Sequence, residues 1–169
     1  MTTDQLTGTP GVVHLPLPKQ VRDLWGDLLG RDVSVRPGLP LVPSTRAPAT
    51  IAVYVEDDLR VAAVFLLDLA LSARAGAAIG LMPSDSAEAA LESGVLDQTV
   101  RENLYEVLNV AAAMFNVEGA PHVRLHELHA VGEPVAPIVL SYALTLGRRE
   151  DLEVDISGYG TGRLSIVLC

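Results

Sequence analysis

The sequence predicts an α+β fold in which a mostly antiparallel β-sheet packs against helices in two layers. Between residues 68 and 116, apolar residues recur at helical spacing. From residue 121 onward, apolar and polar residues alternate with a period of two, as they do in half-buried strands. Glycines divide this second region into short runs, which favours strands joined by antiparallel hairpins: Gly147, Gly158, Gly160 and Gly162.

The composition is that of a globular protein, because 49% of the 169 residues are hydrophobic and 20% are charged. A chain of about 150 residues buries enough surface to fold without disulfides or metals. We therefore expect a flexible tail over residues 1–12 and a single domain over residues 13–169. The net charge of −9 excludes nucleic acid and anionic membranes as favoured partners, since both would repel the chain.

The cysteine content and the first residues point to the cytoplasm. Cys169 is the single cysteine, so no intramolecular disulfide can form. The segment Met1-Thr-Thr-Asp-Gln lacks the basic and apolar regions of a secretory signal, and no run approaches the ~18 apolar residues of a membrane span. We expect a cytoplasmic protein without a membrane-spanning segment.

Helices are predicted wherever apolar residues recur every three or four positions and a capping residue or glycine marks the end. The predicted helices cover residues 19–30, 69–80, 84–92 and 95–116. Strands are predicted over residues 50–56, 60–66, 123–131, 138–146, 152–156 and 163–168. The proline-rich stretch of residues 36–48 is expected to form a loop or an edge segment, because proline cannot donate to a sheet ladder.

The longest predicted helix carries two polar residues that its fold does not require. Counting steps of three and four places Glu102, Glu106, Asn109 and Ala113 in one row, away from the apolar stripe. Asparagine in a helix interior costs about 0.7 kcal/mol relative to alanine, because its amide competes for backbone hydrogen bonds. Glu106 and Asn109 are therefore a candidate functional pair. The alternative is that both side chains are simply solvated.

Two other patterns allow a ligand site but favour ordinary structure. His122, His126 and His129 lie in a run that alternates like a strand, and their spacing does not match the zinc-binding helix motif. The run Gly158-Tyr-Gly-Thr-Gly162 is not followed by a helix, so a hairpin turn is favoured over a phosphate loop. No metal or cofactor of the chain's own is predicted.

With these residues in place, the chain resembles the CheC/CheX/FliY family of chemotaxis phosphatases over about residues 19–168. The most specific likenesses are Asp68-Leu-Ala-Leu-Ser-Ala-Arg-Ala-Gly-Ala-Ala-Ile-Gly80 and Glu102-Asn-Leu-Tyr-Glu106-Val-Leu-Asn109. The family motif is an acidic residue or Ser, three residues, Glu, two residues and Asn, followed much later by Pro. Glu102 stands where the family more often has Asp or Ser. No proline is carried over, because Pro134 and Pro121 do not match the spacing.

The resemblance implies a CheC/CheX-like fold and a phosphatase that hydrolyses the phosphoaspartate of a CheY-like response-regulator receiver domain. Glu106 would ion-pair with the receiver's active-site lysine, and the Asn109 carboxamide would orient a water for in-line attack on phosphorus. Glu102 and Ala113, on the same face, would contact the partner. The receiver would supply the Mg²⁺, so this chain would need no metal ligands. The alternative is a non-catalytic module of the same fold that binds a receiver or another signalling protein.

The resemblance also implies one site and a homodimer. CheC-type members carry the motif on two pseudo-equivalent helices, whereas the first helix here reads Asp23-Leu-Trp-Gly26 without Glu-x-x-Asn. A single-motif, CheX-like chain is therefore the better match. The apolar terminal strand, residues 164–169, is predicted to supply the edge of a homodimer.

Overall fold

The computed structural model describes residues 11–169, and the predicted tail of residues 1–12 lies outside the described residues except for its last two. The described residues form a six-stranded sheet of order β1-β5-β6-β3-β2-β4. Each pair of neighbouring strands is antiparallel. The strands are β1 (Val33–Pro37), β2 (Ala49–Glu56), β3 (Val61–Asp68), β4 (Val123–His129), β5 (Arg149–Ile156) and β6 (Gly160–Leu168).

Helices cover the sheet and confirm the α+β prediction. They are α1 (Pro18–Leu29), α2 (Leu69–Ile79), α3 (Ser84–Ser93), α4 (Gln98–Ala111) and α5 (Pro137–Ala143), with a 3₁₀ turn over Ala112–Met114. The main core lies between one face of the sheet and α1, α2 and α4. Its aromatic centre is formed by Tyr54, Phe65 and Phe115, whose ring centroids lie 4.9 to 5.6 Å apart.

The opposite face of the sheet has a thinner cover. A second apolar cluster joins Val64 and Val167 of the sheet to Val139 and Ala143 of α5 and to Leu41 of the proline-rich segment. The Leu41 amide donates to Ser165 Oγ at 3.0 Å, which ties this segment to β6. The predicted loop or edge character of residues 36–48 is confirmed, since β1 ends at Pro37 on the sheet edge.

One predicted strand is wrong, because residues 138–146 contain helix α5. Pro137 occupies the first turn, where its fixed φ suits a helix and its missing N–H costs nothing. Val139 and Ala143, four residues apart, are the buried positions. In so short an apolar run, helical spacing and alternation cannot be distinguished from the sequence.

The predicted long helix is shorter than residues 95–116. Asp97 caps its start by accepting from the Val100 N–H at 2.8 Å, so Val95 and Leu96 precede it. Its α-helical part ends at Ala111 and tightens into the 3₁₀ turn. The other predicted helix ends are confirmed: Gly30 and Gly94 take left-handed backbone, and Asp68 caps α2.

The predicted dimer edge is wrong. β6 lies inside the sheet between β5 and β3, so residues 164–168 have strand partners on both sides. The sheet edges are β1 and β4. Consecutive hairpins are likewise confirmed only for β2–β3 and β5–β6, because β4 returns from α4 to the far edge and pairs with β2.

Among residues 11–169, no helix combines the length and the apolar character that crossing a membrane would require.

The topology repeats itself in two halves. In each half a helix leads to an edge strand, a segment crosses the thin face, and a β-hairpin follows: α1, β1, β2–β3 and then α4, β4, β5–β6. Each edge strand pairs with the hairpin of the other half, and β3 meets β6 in the middle. Helices α1 and α4 therefore occupy corresponding positions in the two halves.

Candidate functional site

Helix α4 buries one side and displays the predicted row on the other. Its buried residues are Val100, Leu104, Val107, Leu108 and Ala111. Glu102, Glu106 and Asn109 are exposed on α4, and Ala113 is exposed in the 3₁₀ turn that follows. Because successive residues turn by about 100°, these four side chains share one strip of surface.

The three asparagines of the chain all lie in this region, and their surroundings differ. Asn103 donates to the Gly76 carbonyl at 3.0 Å and so joins α4 to α2. Asn116 exchanges hydrogen bonds of 2.8 and 2.7 Å with the carbonyl and N–H of Val123. Asn109 makes no side-chain hydrogen bond within residues 11–169. Two asparagines thus hold the fold together, and the predicted functional one does not.

The two glutamates of the row also differ. Glu102 Oε1 accepts from Gln98 Nε2 at 2.9 Å, one turn earlier on α4. Glu106 forms neither an ion pair nor a side-chain hydrogen bond with any part of the chain that the structure describes. The Glu106 carboxylate and the Asn109 carboxamide are therefore exposed one turn apart and free to bind a partner.

Close packing against α2 fixes the position of α4. A Cβ atom at Gly76 would lie 2.6 Å from the Val100 carbonyl oxygen, and one at Gly80 would lie 2.3 Å from Asn103 Nδ2. Only glycine allows the two helices to approach this closely. The alanine-rich composition of α2 serves the same purpose, as its small residues form most of its buried surface.

The Arg101 guanidinium anchors the loop after β4 beside α4. It donates through both Nε and Nη2 to the Glu133 carboxylate, with Nη2 to Oε2 at 3.0 Å, and Nη2 also reaches the Leu128 carbonyl at 3.3 Å. This hydrogen bonding lowers the pKa of Glu133 and raises the pKa of Arg101. The pair holds the loop against α4 wherever Glu133 is ionised.

Tyr54 supports this site through a contact that no local sequence pattern predicts. Its hydroxyl, fully buried, donates to the Leu108 carbonyl at 2.6 Å. The Ala112 N–H, which would pair with Leu108 in a continuing α-helix, instead points to the carbonyls of Asn109 and Val110. Tyr54 therefore satisfies the carbonyl released where α4 tightens, next to Asn109. Burial raises the pKa of Tyr54 well above its ordinary value, so its hydroxyl remains a donor.

Replacing Tyr54 by phenylalanine is expected to lower the free energy of unfolding by about 1–2 kcal/mol, because a buried carbonyl loses its partner while the ring packing is kept. Urea denaturation measures the change. Tyr105→Phe is the matched control, since Tyr105 is 44% exposed on α4. Equal stabilities of the two variants would show that the Tyr54 hydroxyl does not hold this helix end.

Helices α3 and α4 are rich in acidic residues. Residues 84–111, which span α3 and α4, contain six acidic residues and one basic residue, and Arg101 is already paired with Glu133. The acidic residues are Asp85, Glu88, Glu92, Asp97, Glu102 and Glu106. A partner that docks here should present positive charge.

Helix α1 occupies the position of α4 in the first half of the chain but does not carry the same residues. Its buried residues Val21, Trp25 and Leu29 each precede a buried residue of α4 by 79 positions: Val100, Leu104 and Leu108. The same offset matches Asp23, Asp27 and Gly30 to Glu102, Glu106 and Asn109. The structural equivalent of Asn109 is thus Gly30. It is not Gly26, the residue that the sequence comparison of Asp23-Leu-Trp-Gly26 with Glu-x-x-Asn indicates. The motif is complete on α4 alone.

The remaining predicted features have structural roles. Residues 157–159 form the turn between β5 and β6, as predicted for the glycine-rich run. His122 lies 3.0 Å from Asp57, and His129 lies 3.0 Å from Glu127. Within residues 11–169, no group of three His, Cys, Asp or Glu side chains is arranged to hold a metal ion.

No protein-family model and no curated protein matches this sequence. Solved structures do match it. The middle domain of FliM from H. pylori is similar with a TM-score of 0.57 and 10% identity, covering 89% of this chain and 84% of that chain. FliM in a FliM-SpeE complex from H. pylori is similar with a TM-score of 0.55 and 9% identity, covering 89% and 80%.

A CheX-CheY-BeF3-Mg complex from Borrelia burgdorferi also matches, with a TM-score of 0.45, 10% identity and coverage of 86% of this chain and 90% of that chain. At these identities the similarities establish the fold and not the activity. The two FliM structures, whose TM-scores exceed 0.5, show that this chain shares the fold of the FliM middle domain.

Proposed function

We propose that the chain is a phosphatase for the aspartyl phosphate of a response-regulator receiver domain. The observation that carries the proposal is the pair on α4, in which Asn109 and Glu106 are exposed one turn apart and unused by the fold within residues 11–169. The other two asparagines of the chain make structural hydrogen bonds. Keeping an asparagine inside a helix without such a bond lowers helix stability, so a role in binding or catalysis accounts for it.

An acyl phosphate is already activated, so the catalyst has to position a water more than it has to change bonding. In the proposed reaction the Asn109 carboxamide holds a water in line with the scissile bond. The water oxygen bonds to phosphorus as the bond from phosphorus to the aspartyl oxygen breaks. The carboxylate leaves, and both water protons end on the released phosphate. Glu106 pairs with a lysine of the receiver and so sets the distance between the two proteins.

The divalent metal that neutralises the phosphoryl group belongs to the receiver in this proposal. This chain contributes the exposed carboxylates of Glu102 and Glu106, which favour approach of a positively charged contact region. The proposed location is the cytoplasm, where receiver domains are phosphorylated.

A second candidate function is binding without hydrolysis. It is favoured by the FliM-SpeE complex, which shows this fold bound to another protein. In that case the α4 face would dock a receiver or signalling protein, and Asn109 would only add a polar contact.

The decay of phosphate on a panel of purified receivers, with and without this protein, separates the two functions. Faster decay on at least one receiver would support the phosphatase. Binding of a receiver with unchanged decay would support the docking module, and neither effect on any receiver would overturn the phosphatase.

Reversing the charge of Glu106 is expected to weaken receiver binding. Glu106→Lys places a cation opposite the receiver's lysine, and we expect the Kd to rise about tenfold. Titration calorimetry at low and high salt measures this loss. Glu92→Lys on α3 makes the same change in net charge away from the row and should have a smaller effect. Similar losses for both variants would mean that only overall charge matters.

A further inference from the structure

Leu81 combines two unfavourable features that the described fold does not compensate. It has a φ of 53°, in the left-handed region that leucine rarely adopts. Its side chain is also 78% exposed. Leu59 in the β2–β3 turn shares both features, and Leu81 differs from it by lying near α4.

The strain arises from how α2 ends. The N–H groups of Leu81 and Met82 donate to the carbonyls of Ala78 and Ala77, which requires a left-handed residue at position 81. Glycine usually fills that position. Here the glycine stands one residue earlier, at Gly80, where a side chain would displace the Asn103 amide from its hydrogen bond to the Gly76 carbonyl. Leu81 is left to make the turn.

The same contacts locate Leu81 beside the α4 row. Asn103 Nδ2 lies 2.3 Å from the position that a Cβ at Gly80 would take, and 3.6 Å from the Met82 sulfur, so it lies near both chain neighbours of Leu81. Asn103 precedes Glu106 by one helical turn. Tyr105 lies about 200° around α4 from Asn103, so Glu106 and Asn109 fall between Leu81 and Tyr105.

We infer that Leu81 is an apolar anchor for the receiver that docks on α4. The inference rests on the proposed function and adds to it what the partner must present: a shallow apolar patch beside the cationic residue that meets Glu106. The charge of the row supports the same occupant, because the exposed carboxylates of Glu102 and Glu106 select a positively charged contact region. Burying a leucine in such a patch would offset the cost of displaying it.

Leu81→Gly tests the inference, because it relieves the backbone strain and removes the apolar side chain together. We expect the Tm to rise by about 2 °C and the Kd for the receiver to rise about tenfold. The chain offers a matched control in Leu59, the other leucine at positive φ (67°), which is 57% exposed in the β2–β3 turn. Leu59→Gly should raise the Tm similarly and leave the Kd unchanged. Leu81→Asn, which tolerates the left-handed backbone and is polar, should bind as weakly as Leu81→Gly.

The probe is the receiver whose phosphate decay the wild type accelerates, trapped with beryllofluoride. A Leu81→Gly protein that is stabilised and binds with wild-type affinity would overturn the inference while the proposed function stands. A lowered Tm would also overturn it, because Leu81 would then serve the fold. If the wild type binds and dephosphorylates no receiver, the proposed function fails and the inference fails with it.

Discussion

Asn109→Ala is expected to abolish accelerated dephosphorylation, lowering the rate about 100-fold towards that of the receiver alone. The variant removes the group that orients the water and nothing that holds the fold, since Asn109 has no side-chain partner within residues 11–169. Its free energy of unfolding should stay unchanged or rise by about 0.5 kcal/mol, because alanine favours the helix. The Kd for the receiver should change little. Single-turnover decay, calorimetry and urea denaturation measure the three quantities.

The other two asparagines provide the contrast. Asn116→Ala should destabilise the protein, because it breaks two hydrogen bonds to Val123, while any folded fraction keeps its activity. Asn103→Ala removes the link to Gly76 and should behave similarly. If Asn109→Ala instead unfolds the protein, the side chain is structural and the catalytic assignment fails. If it keeps full activity, water is positioned by another group.

The position of the α4 row was predictable because a helix of 14 residues gives a strong periodic signal. Glycines and aspartates at helix ends act locally, so Gly30, Asp68 and Gly94 could be assigned from the sequence. Local chemistry thus determined most element types. It also determined that Glu106 and Asn109 would be exposed.

Strand order could not be predicted in the same way. β4 pairs with β2 across some 70 residues of chain, and no local pattern specifies that choice. For the same reason the sequence predicts an edge at the apolar terminal strand, whereas β6 lies in the middle of the sheet. The apolar residues of β6 reflect burial on both of its faces, as its burial pattern shows.

The contacts that support the site could not be predicted from the sequence either. Tyr54 is 54 residues from Leu108, and only the folded chain brings its hydroxyl to the end of α4. The match between α1 and α4 required the two buried stripes, because the sequences themselves share little beyond acidic residues at corresponding positions. Only the backbone angle of Leu81 distinguishes it from other apolar residues that follow a glycine.

Gly162→Ala is expected to destabilise the protein severely, although it adds only one methyl group. A Cβ at Gly162 would lie 2.4 Å from the Leu71 Cβ and 2.5 Å from the Leu71 amide nitrogen. That N–H donates to Asp68 Oδ1 at 2.8 Å and caps α2, so the added group would strain both the core and the cap. We expect a loss of about 3 kcal/mol, which corresponds to a fall in Tm of about 6–12 °C.

Gly147→Ala is the control, because a Cβ there would lie 3.6 Å from its nearest neighbour, the Thr145 methyl, and should cost little. Calorimetric melting compares the two variants, and equal Tm values would show that β6 and α2 are not in tight contact.

Gly162 is far along the chain from the α4 row, yet α2 links them, since α2 packs on β6 at Leu71 and on α4 at Gly76. Phosphatase activity of Gly162→Ala should therefore fall in proportion to the folded fraction and recover fully at low temperature, whereas that of Asn109→Ala should not recover at any temperature.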